Sequence, residues 1–261
     1  MPGVEGRVAL VTGVGRGIWR ATADLLASRG ARVMAVAHSE NELQTLGLDY
    51  VVADLGTPDG CKLAVEKTQD RLGPVAILVY NHGIGSAHER VIWKQEPELW
   101  RETMRINLDG PYFLSRIVVK DMVEQGYGRL VFTSSTAGQV AEYAGSIYNS
   151  SKHGLLGLMR SVAQDAGPHS VTSNAVLCPA GCEHQWLRIR PKPKPSSMVS
   201  TRMRCRQKKL RFTRRHQVGQ FMENNIPNIN DVSYRLSRVL HAIVGSFIMM
   251  KSLALKHPTP R

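Results

Sequence analysis

Short apolar runs alternate with helix-like stretches over residues 5–179, and this alternation constrains the fold more than any other feature of the chain. The runs are rich in valine, isoleucine and leucine, as is typical of strands buried on both faces. This order of elements predicts an α/β chain with a parallel sheet covered by helices on both faces. The predicted strands are 8–11, 31–37, 49–55, 75–81, 129–135 and 171–177, and the predicted helices are 20–30, 41–48, 61–73, 97–126 and 146–167.

The charge of the chain is unevenly distributed. The 261 residues carry a net charge of +13, and residues 183–215 hold 12 basic residues against one acidic residue. This segment has no clean periodicity and contains three prolines, so we expect an exposed loop with one basic helix. It is either a divergent substrate loop or the product of a shifted reading frame. Helical spacing returns over 231–255.

Composition excludes several classes of protein. Cys178, Cys182 and His184 do not match a common zinc-ligand spacing, so we expect reduced thiols and no metal site. No apolar run reaches the roughly 20 residues of a membrane-spanning helix. We expect no signal peptide before the first strand. We therefore expect a cytoplasmic protein without a transmembrane segment.

A glycine-rich turn, TGVGRGIW, follows the first strand at residues 12–19. Gly13, Gly15 and Gly17 would let the backbone approach a diphosphate at the start of the next helix, where free N–H groups attract anions. A tight turn from strand to helix also favours glycine without any ligand. The position of the turn in a β–α–β pattern favours dinucleotide binding.

The end of the second strand bears on the choice of cofactor. NAD sites commonly place an acidic residue there to bind the ribose 2′-hydroxyl. This chain has Ala37 and His38 instead, and Arg16 lies in the glycine turn. Arg16 and His38 would attract a 2′-phosphate, although both are also ordinary solvated loop residues. The sequence therefore favours NADP(H), with NAD(H) as the alternative.

The stretch YNSSK places Tyr148 and Lys152 four residues apart, on one face of a predicted helix. A neighbouring ammonium favours the phenolate, so this tyrosine would exchange a proton with a substrate oxygen near neutral pH. The pair alone is weak, because a half-buried tyrosine and a solvated lysine often share a helix face. Ser135 at the end of the fifth strand and Asn107 within a helix strengthen the catalytic interpretation.

Together these motifs resemble the short-chain dehydrogenase/reductase family, in its branch of about 250 residues. The resemblance extends over residues 5–179 and rests on TGVGRGI, Ala53–Leu55, Tyr80–Gly83, Asn107, Ser135 and YNSSK. It implies an α/β Rossmann-type fold, a doubly wound parallel sheet in three αβα layers within a single domain. The expected organisation is a Rossmann core over 1–181, a divergent basic substrate-loop region over 182–230, and a C-terminal helix and strand over 231–261 that complete the same domain.

The resemblance also implies catalytic roles. Tyr148 would act as the general acid in ketone reduction or the base in alcohol oxidation. Lys152 would lower the pKa of Tyr148 and bind the nicotinamide ribose. Ser135 would orient the substrate oxygen, and Asn107 would hold a water that links Lys152 to solvent. The implied reaction is NADPH-dependent reduction of a carbonyl group, as in 3-oxoacyl or carbonyl reductases.

The implied cofactor site and partners follow from the same family pattern. The substrate would be a small carbonyl or alcohol compound, acidic or carrier-bound if the basic segment contacts it. Homodimers or homotetramers would form through the helices that carry Asn107 and Tyr148. We expect no nucleic-acid partner. The implied cofactor-binding residues are Thr12, Gly13, Gly15, Arg16, Gly17, Ile18, His38, Asp54, Leu55, Asn81, Gly83, Tyr148, Lys152 and Pro179.

The chain departs from the family pattern at several positions. Trp19 stands where the family has its third glycine, and Tyr80 and His82 replace usual residues after the fourth strand. The turn Cys178–Gly181 separates its proline from its glycine, which leaves the register of Pro179 open. We expect the indole of Trp19 to turn outward or to displace the helix. Either movement would weaken cofactor binding without abolishing it.

Two alternatives to an enzyme follow from these departures. A catalytically impaired protein on the same scaffold would use its basic segment to contact acidic partners. Nucleic acid would then be held by phosphate attraction alone, because aromatic residues for base stacking are sparse there. The second alternative is association with anionic membranes through residues 234–256, which a helix packed on the sheet explains equally well.

Overall fold

The computed structural model describes residues 3–15, 17–85 and 90–178, with only the backbone described at residues 17 and 18. The strands are β1 Val8–Thr12, β2 Arg32–Ala37, β3 Asp49–Val52, β4 Ile77–Tyr80, β5 Gly128–Ser135 and β6 Val171–Cys178. The α-helices are α1 Gly17–Ser28, α2 Glu40–Leu43, α3 Pro58–Leu72, α4 Pro97–Met104, α5 Gly110–Glu124 and α6 Ser146–Ala166. Residues 182–261 lie outside the described residues, so the domain organisation expected there stays a prediction.

The six strands form one parallel sheet in the order β3-β2-β1-β4-β5-β6. This order confirms the expected Rossmann-type doubly wound sheet. Leu10 in the middle of β1 pairs in register with Met34 on one side and with Leu78 on the other. The strand order reverses between β1 and β4, and ligands bind in open sheets of this kind at the crevice beyond that point.

Helices cover both faces of the sheet, which gives the expected three layers. On one face, Leu10, Leu78 and Leu130 pack in a cluster with residues of α3, α5 and α6. On the other face, the neighbouring strand residues Ala9 and Val11 pack with residues of α1 and α2. Successive side chains of a strand point to opposite faces, so the continuous apolar runs of the sequence supply both clusters.

Residues 97–124 form one nearly continuous helical segment, as the sequence predicted. A π-helical turn, Arg105–Asp109, interrupts it between α4 and α5. A π-turn inserts an extra residue and often marks a functional position in a helix. Here it contains Asn107. Within the described part of the chain, no helix combines the length and the apolarity that crossing a membrane requires.

Candidate active site

The turn after β1 brings three chain segments close together. Gly13 has a φ of +70°, and a Cβ built on it would lie 3.0 Å from Asn81 Nδ2 and 3.2 Å from the His82 nitrogen. The hydroxyl of Thr12 accepts hydrogen bonds from the backbone N–H groups of Asn81 (2.9 Å) and His82 (3.1 Å). Thr12 therefore links the end of β1 to the residues that follow β4, and its hydroxyl accepts both of these hydrogen bonds.

Helix α1 begins at Gly17, directly beyond this turn, and its first turn carries no acidic residue. Its unpaired N–H groups and partial positive charge suit a diphosphate. At Gly13 the turn presents backbone and no side chain toward its close neighbours. The residues present therefore fit a dinucleotide. The expected contributions of Arg16 and of the Ile18 side chain lie outside the described residues.

Trp19 packs inward. Its side chain is only 9% exposed and belongs to the core cluster that α1 shares with β1 and β2. Of the two expected outcomes, an indole turned outward and a displaced helix, the first is therefore wrong, and the displacement of α1 stays a prediction. The physical reason is the space that small residues leave in this cluster, because Ala9, Ala23 and Ala35 are among its members. The expected weakening of cofactor binding stays a prediction.

From the sequence we expect the adenosine beyond β2 and β3, and this part of the crevice is called the adenosine end. His38 is exposed directly after β2. Asp54 follows β3, and its carboxylate accepts hydrogen bonds from the Gly56 N–H (2.9 Å) and from Arg105 Nη1 (2.8 Å). Leu55 turns its side chain into the core, and its carbonyl accepts from the Cys61 thiol at 3.3 Å. Asp54 thus offers a carboxylate at this end, while Leu55 offers only backbone.

Arg105 is a residue of this site that the sequence did not reveal. Its guanidinium joins Glu102 (2.7 Å) and Asp54 (2.8 Å) in one ion-pair network. Burial raises the pKa of Asp54, but the Gly56 N–H and Arg105 outweigh that effect and hold the pKa below its ordinary value. Glu102 and then Asp54 raise the pKa of Arg105. No motif marks Arg105, because Asp54 lies 51 residues away in the chain.

The end of β4 and the residues that follow it contact the π-turn and α6. The Tyr80 hydroxyl donates a hydrogen bond to the Ile106 carbonyl at 3.2 Å, so the unusual tyrosine supports the π-turn. Burial raises the pKa of Tyr80 well above its ordinary value and keeps it a donor. Burial also lowers the pKa of His82. A Cβ on Gly83 would lie 3.0 Å from Asn107 Oδ1 and 3.7 Å from Lys152 Nζ.

Asn107 connects the π-turn to two other segments. Its side chain is 1% exposed and exchanges two hydrogen bonds with the backbone of Ile84, each 2.9 Å long. Its Nδ2 also donates to Ser151 Oγ at 3.1 Å, and that hydroxyl donates to the Tyr148 carbonyl at 2.8 Å. The amide group thereby fixes the β4 segment against the helix that carries Tyr148. The sequence predicted Asn107 as a site residue but not these partners.

Tyr148 and Lys152 lie in the first turns of α6, and both side chains are buried. Lys152 Nζ lies 5.4 Å from the centroid of the Tyr148 ring and donates a hydrogen bond to the Thr133 carbonyl at 3.1 Å. Thr133 belongs to β5, two residues before Ser135. Lys152 therefore anchors α6 to the strand that ends in Ser135.

Ser135 closes β5 at the carboxyl end of the sheet. Its hydroxyl accepts a hydrogen bond from the Ala137 N–H at 3.2 Å, in the short turn that follows. This turn packs against the α6 backbone, since a Cβ on Gly138 would lie 2.8 Å from the Lys152 carbonyl. Ser135 is thus held at the same sheet edge as Tyr148 and Lys152. Pro179 lies outside the described residues, one position beyond β6.

Comparison with known proteins gives consistent matches. Residues 7–188 match the sequence model of the short chain dehydrogenase family. The chain is 34% identical over 179 residues to the 3-oxoacyl-(acyl-carrier-protein) reductase of Escherichia coli, which covers 66% of this chain and 72% of that relative. It is 32% identical over 207 residues to an uncharacterized oxidoreductase of Thermotoga maritima, with 75% and 80% covered.

A solved structure matches the fold as well. A gluconate 5-dehydrogenase from Burkholderia cenocepacia, in complex with NADP and tartrate, superposes with a TM-score of 0.63 at 27% identity. The superposition covers 67% of this chain and 71% of that chain. The residues that match the family model, 7–188, include all six strands of the sheet.

Proposed function

Because this chain belongs to the short-chain dehydrogenase family, we propose that it reduces the carbonyl group of a ketone to an alcohol with NADPH. The family assignment makes the chain an oxidoreductase that acts on CH–OH and C=O groups with a nicotinamide cofactor. When bound, that cofactor supplies the hydride for the substrate carbon. The protein supplies alignment and the proton.

The observation that carries the proposal is the buried pair of Tyr148 and Lys152. Tyr148 donates its hydroxyl proton to the carbonyl oxygen, which becomes the alcohol oxygen as the carbon accepts the hydride. The ammonium of Lys152, 5.4 Å from the ring centroid, stabilises the phenolate that remains. Both side chains are at least 95% buried, so little solvent screens this attraction.

Ser135 and Asn107 assist this proton transfer. Ser135 donates a hydrogen bond to the substrate oxygen and orients it toward Tyr148. Asn107 holds the relay that returns a proton to Tyr148 through Lys152. Support for the relay comes from Gly83, because a Cβ at this position would lie close to both Asn107 Oδ1 and Lys152 Nζ. A side chain at residue 83 would therefore crowd the space beside these two groups.

The choice of NADPH rests on the adenosine end. His38 is exposed after β2, and the two positions at that strand end, Ala37 and His38, are not acidic. Arg16 in the glycine turn supplies a positive charge by sequence. A related gluconate 5-dehydrogenase was solved with NADP bound, which supports the same choice. NAD(H) is the alternative cofactor.

The proposed substrate is a small ketone, with a carrier-bound 3-oxoacyl group as the first candidate. A relative at 34% identity is named for that reaction. The basic segment 183–215 would attract an acidic carrier, since charge steers such encounters over long range. We also propose cytoplasmic localisation.

The proposed assembly is a homodimer or homotetramer. It would form through the segment 97–124 and through α6, the elements that carry Asn107 and Tyr148. Trp100 and Tyr112 support this, because both are large side chains and both are about half exposed on the first of these elements. Apolar area of this kind is typical of protein contacts.

The test is NADPH oxidation with a panel of ketones and 3-oxoacyl thioesters. We expect Tyr148→Phe to lower turnover about a hundred- to ten-thousand-fold, because the proton donor is lost while the ring is kept. Tyr127→Phe is the matched control, since Tyr127 lies in the turn before β5, at the opposite end of the sheet. Equal rates in wild type and Tyr148→Phe would favour a non-enzymatic protein on the same scaffold.

A further inference from the structure

An acidic side chain lies against the glycine turn, where the sequence indicated none. Glu42 belongs to α2, the short helix that follows β2. A Cβ built on Gly15 would overlap Glu42 Oε2 and would lie 2.5 Å from Glu42 Cδ. The carboxylate of Glu42 therefore packs on the Cα of Gly15. The two residues are 27 positions apart in the chain.

The position of Glu42 is fixed by contacts on both sides of α2. Leu43, the next residue, is fully buried in the core cluster beneath α1. Arg20 of α1 donates hydrogen bonds to the Thr45 hydroxyl (3.0 Å) and the Thr45 carbonyl (2.8 Å). Helix α1 is thus joined to the segment that follows α2, and this contact holds the backbone of α2 beside α1.

This place coincides with the region of the adenosine ribose. In a sheet of this order, the turn after β1 receives the diphosphate, and the residues after β2 meet the 2′ position of the ribose. Glu42 extends from the second of these segments onto the first. A 2′-phosphate must therefore enter next to a carboxylate, whereas a 2′-hydroxyl brings no charge to it.

We propose that Glu42 sets the balance between NADPH and NADH by repelling the 2′-phosphate. The proposal rests on the proposed nicotinamide-dependent function and refines its cofactor preference. His38 attracts the phosphate from the end of β2, and Glu42 opposes it from α2. The enzyme then prefers NADPH by a smaller factor than the sequence alone would suggest.

The test compares Glu42→Gln with wild type by calorimetric titration of NADPH and NADH. The amide keeps the size of the side chain and removes its charge. We expect the dissociation constant for NADPH to fall about fivefold, since like charges near a surface interact by about 1 kcal/mol. The dissociation constant for NADH should fall by a smaller factor, because NADH shares the diphosphate charge but lacks the 2′-phosphate, so the ratio of the two constants is the readout.

Glu40→Gln is the matched control. Glu40 lies two residues earlier on α2, and its carboxylate accepts a hydrogen bond from the Tyr50 hydroxyl at 3.2 Å. It has the same charge, so a general effect of net charge would appear in both variants. We expect Glu40→Gln to leave the ratio of the two dissociation constants unchanged.

The outcomes separate this inference from the proposed function. If wild type binds both cofactors and Glu42→Gln leaves their ratio unchanged, the role of Glu42 is refuted and the proposed function stands. Weaker NADPH binding by Glu42→Gln refutes it as well, because Glu42 would then support the turn. If neither protein binds NADPH or NADH, the proposed function fails and the inference fails with it.

Discussion

The two ends of the crevice are built in different ways. At the catalytic end, Asn107, Tyr148 and Lys152 are buried, and Asn107 and Lys152 donate hydrogen bonds to backbone carbonyls of neighbouring segments. At the adenosine end, His38 and Asp54 are exposed or half-exposed, and Asp54 is held partly by another side chain. Backbone contacts define a position to within a narrow range, whereas exposed side chains keep rotameric freedom.

This difference matches the tasks that we propose for the two ends. Proton transfer requires donor and acceptor within hydrogen-bond distance, so a small displacement of Tyr148 would be costly in the proposed mechanism. Recognition of a ribose or a phosphate relies more on charge, and charge acts over longer distances. The catalytic end should therefore respond to substitution through turnover, and the adenosine end through cofactor affinity.

Trp19→Ala gives the largest expected effect, and it crosses this division. Trp19 follows the glycine turn in sequence, but its side chain lies in the core. Its loss therefore removes buried area and leaves a cavity. We expect the free energy of unfolding to fall by about 3–5 kcal/mol. Urea unfolding followed by circular dichroism measures this change. The same experiment shows whether the indole of Trp19 holds α1 against the sheet.

The control for this prediction is Trp93→Ala. Trp93 is among the most exposed large side chains of the described residues, so its removal should change stability by less than about 0.5 kcal/mol. Equal losses for Trp19→Ala and Trp93→Ala would contradict the inward packing of the first indole. The side chain of Trp19 would then be exposed, as His38 is at the adenosine end.

Tyr80→Phe tests the catalytic end. The substitution removes the hydrogen bond to the Ile106 carbonyl and leaves that carbonyl without its phenol donor. We expect a loss of about 1–2 kcal/mol in unfolding free energy. Turnover should also fall several-fold, because Ile106 adjoins Asn107 in the π-turn, while affinity for NADPH stays within about twofold.

Tyr112→Phe serves as the control for Tyr80→Phe, since Tyr112 is half-exposed on α5. It should leave stability and turnover near their wild-type values. A fall in NADPH affinity with unchanged turnover in Tyr80→Phe would contradict the separation of the two ends. Tyr80 would then act on the cofactor site and not on the catalytic turn.

The fold was predictable from the sequence for a physical reason, and so was the grouping of the residues proposed as catalytic. A parallel sheet requires apolar strands, and proton transfer by a tyrosine is favoured by a neighbouring ammonium. Residue types and their spacing therefore indicate both the strands and the Tyr148–Lys152 pair. The six strands and the helical segment 97–124 appear where the patterns placed them. The π-turn within that segment has no such pattern, because it depends on contacts of Asn107 with Ile84 and Ser151.

The adenosine end was less predictable because its contacts join distant segments. Glu42 meets Gly15, and Arg105 meets Asp54, without any repeat or motif that links the partners. The sequence also left the direction of Trp19 open between an outward indole and a displaced helix, and the outward alternative is wrong for a related reason. Whether an indole fits beneath α1 depends on small residues such as Ala35, which come from another strand.

Arg105→Met has the smallest expected effect on stability. Arg105 and Asp54 are about a third exposed (32% and 38%), so solvent screens their attraction and its loss should cost less than about 1 kcal/mol. The pKa of Asp54 lies below its ordinary value in the folded state. Its ionised form therefore stabilises the fold above the unfolded-state pKa, and this contribution disappears as pH falls through the folded-state pKa.

Removal of Arg105 should raise the pKa of Asp54, so the stability difference between wild type and Arg105→Met should be largest near neutral pH and shrink in acid. Urea unfolding across that pH range measures it, with Arg101→Met as the control, since Arg101 pairs with Glu98 on the exposed face. A difference that grows in acid would contradict the assigned pairing. A loss of unfolding free energy greater than that of Tyr80→Phe would contradict the difference between the two ends. A partly exposed ion pair would then stabilise the fold more than a buried hydrogen bond.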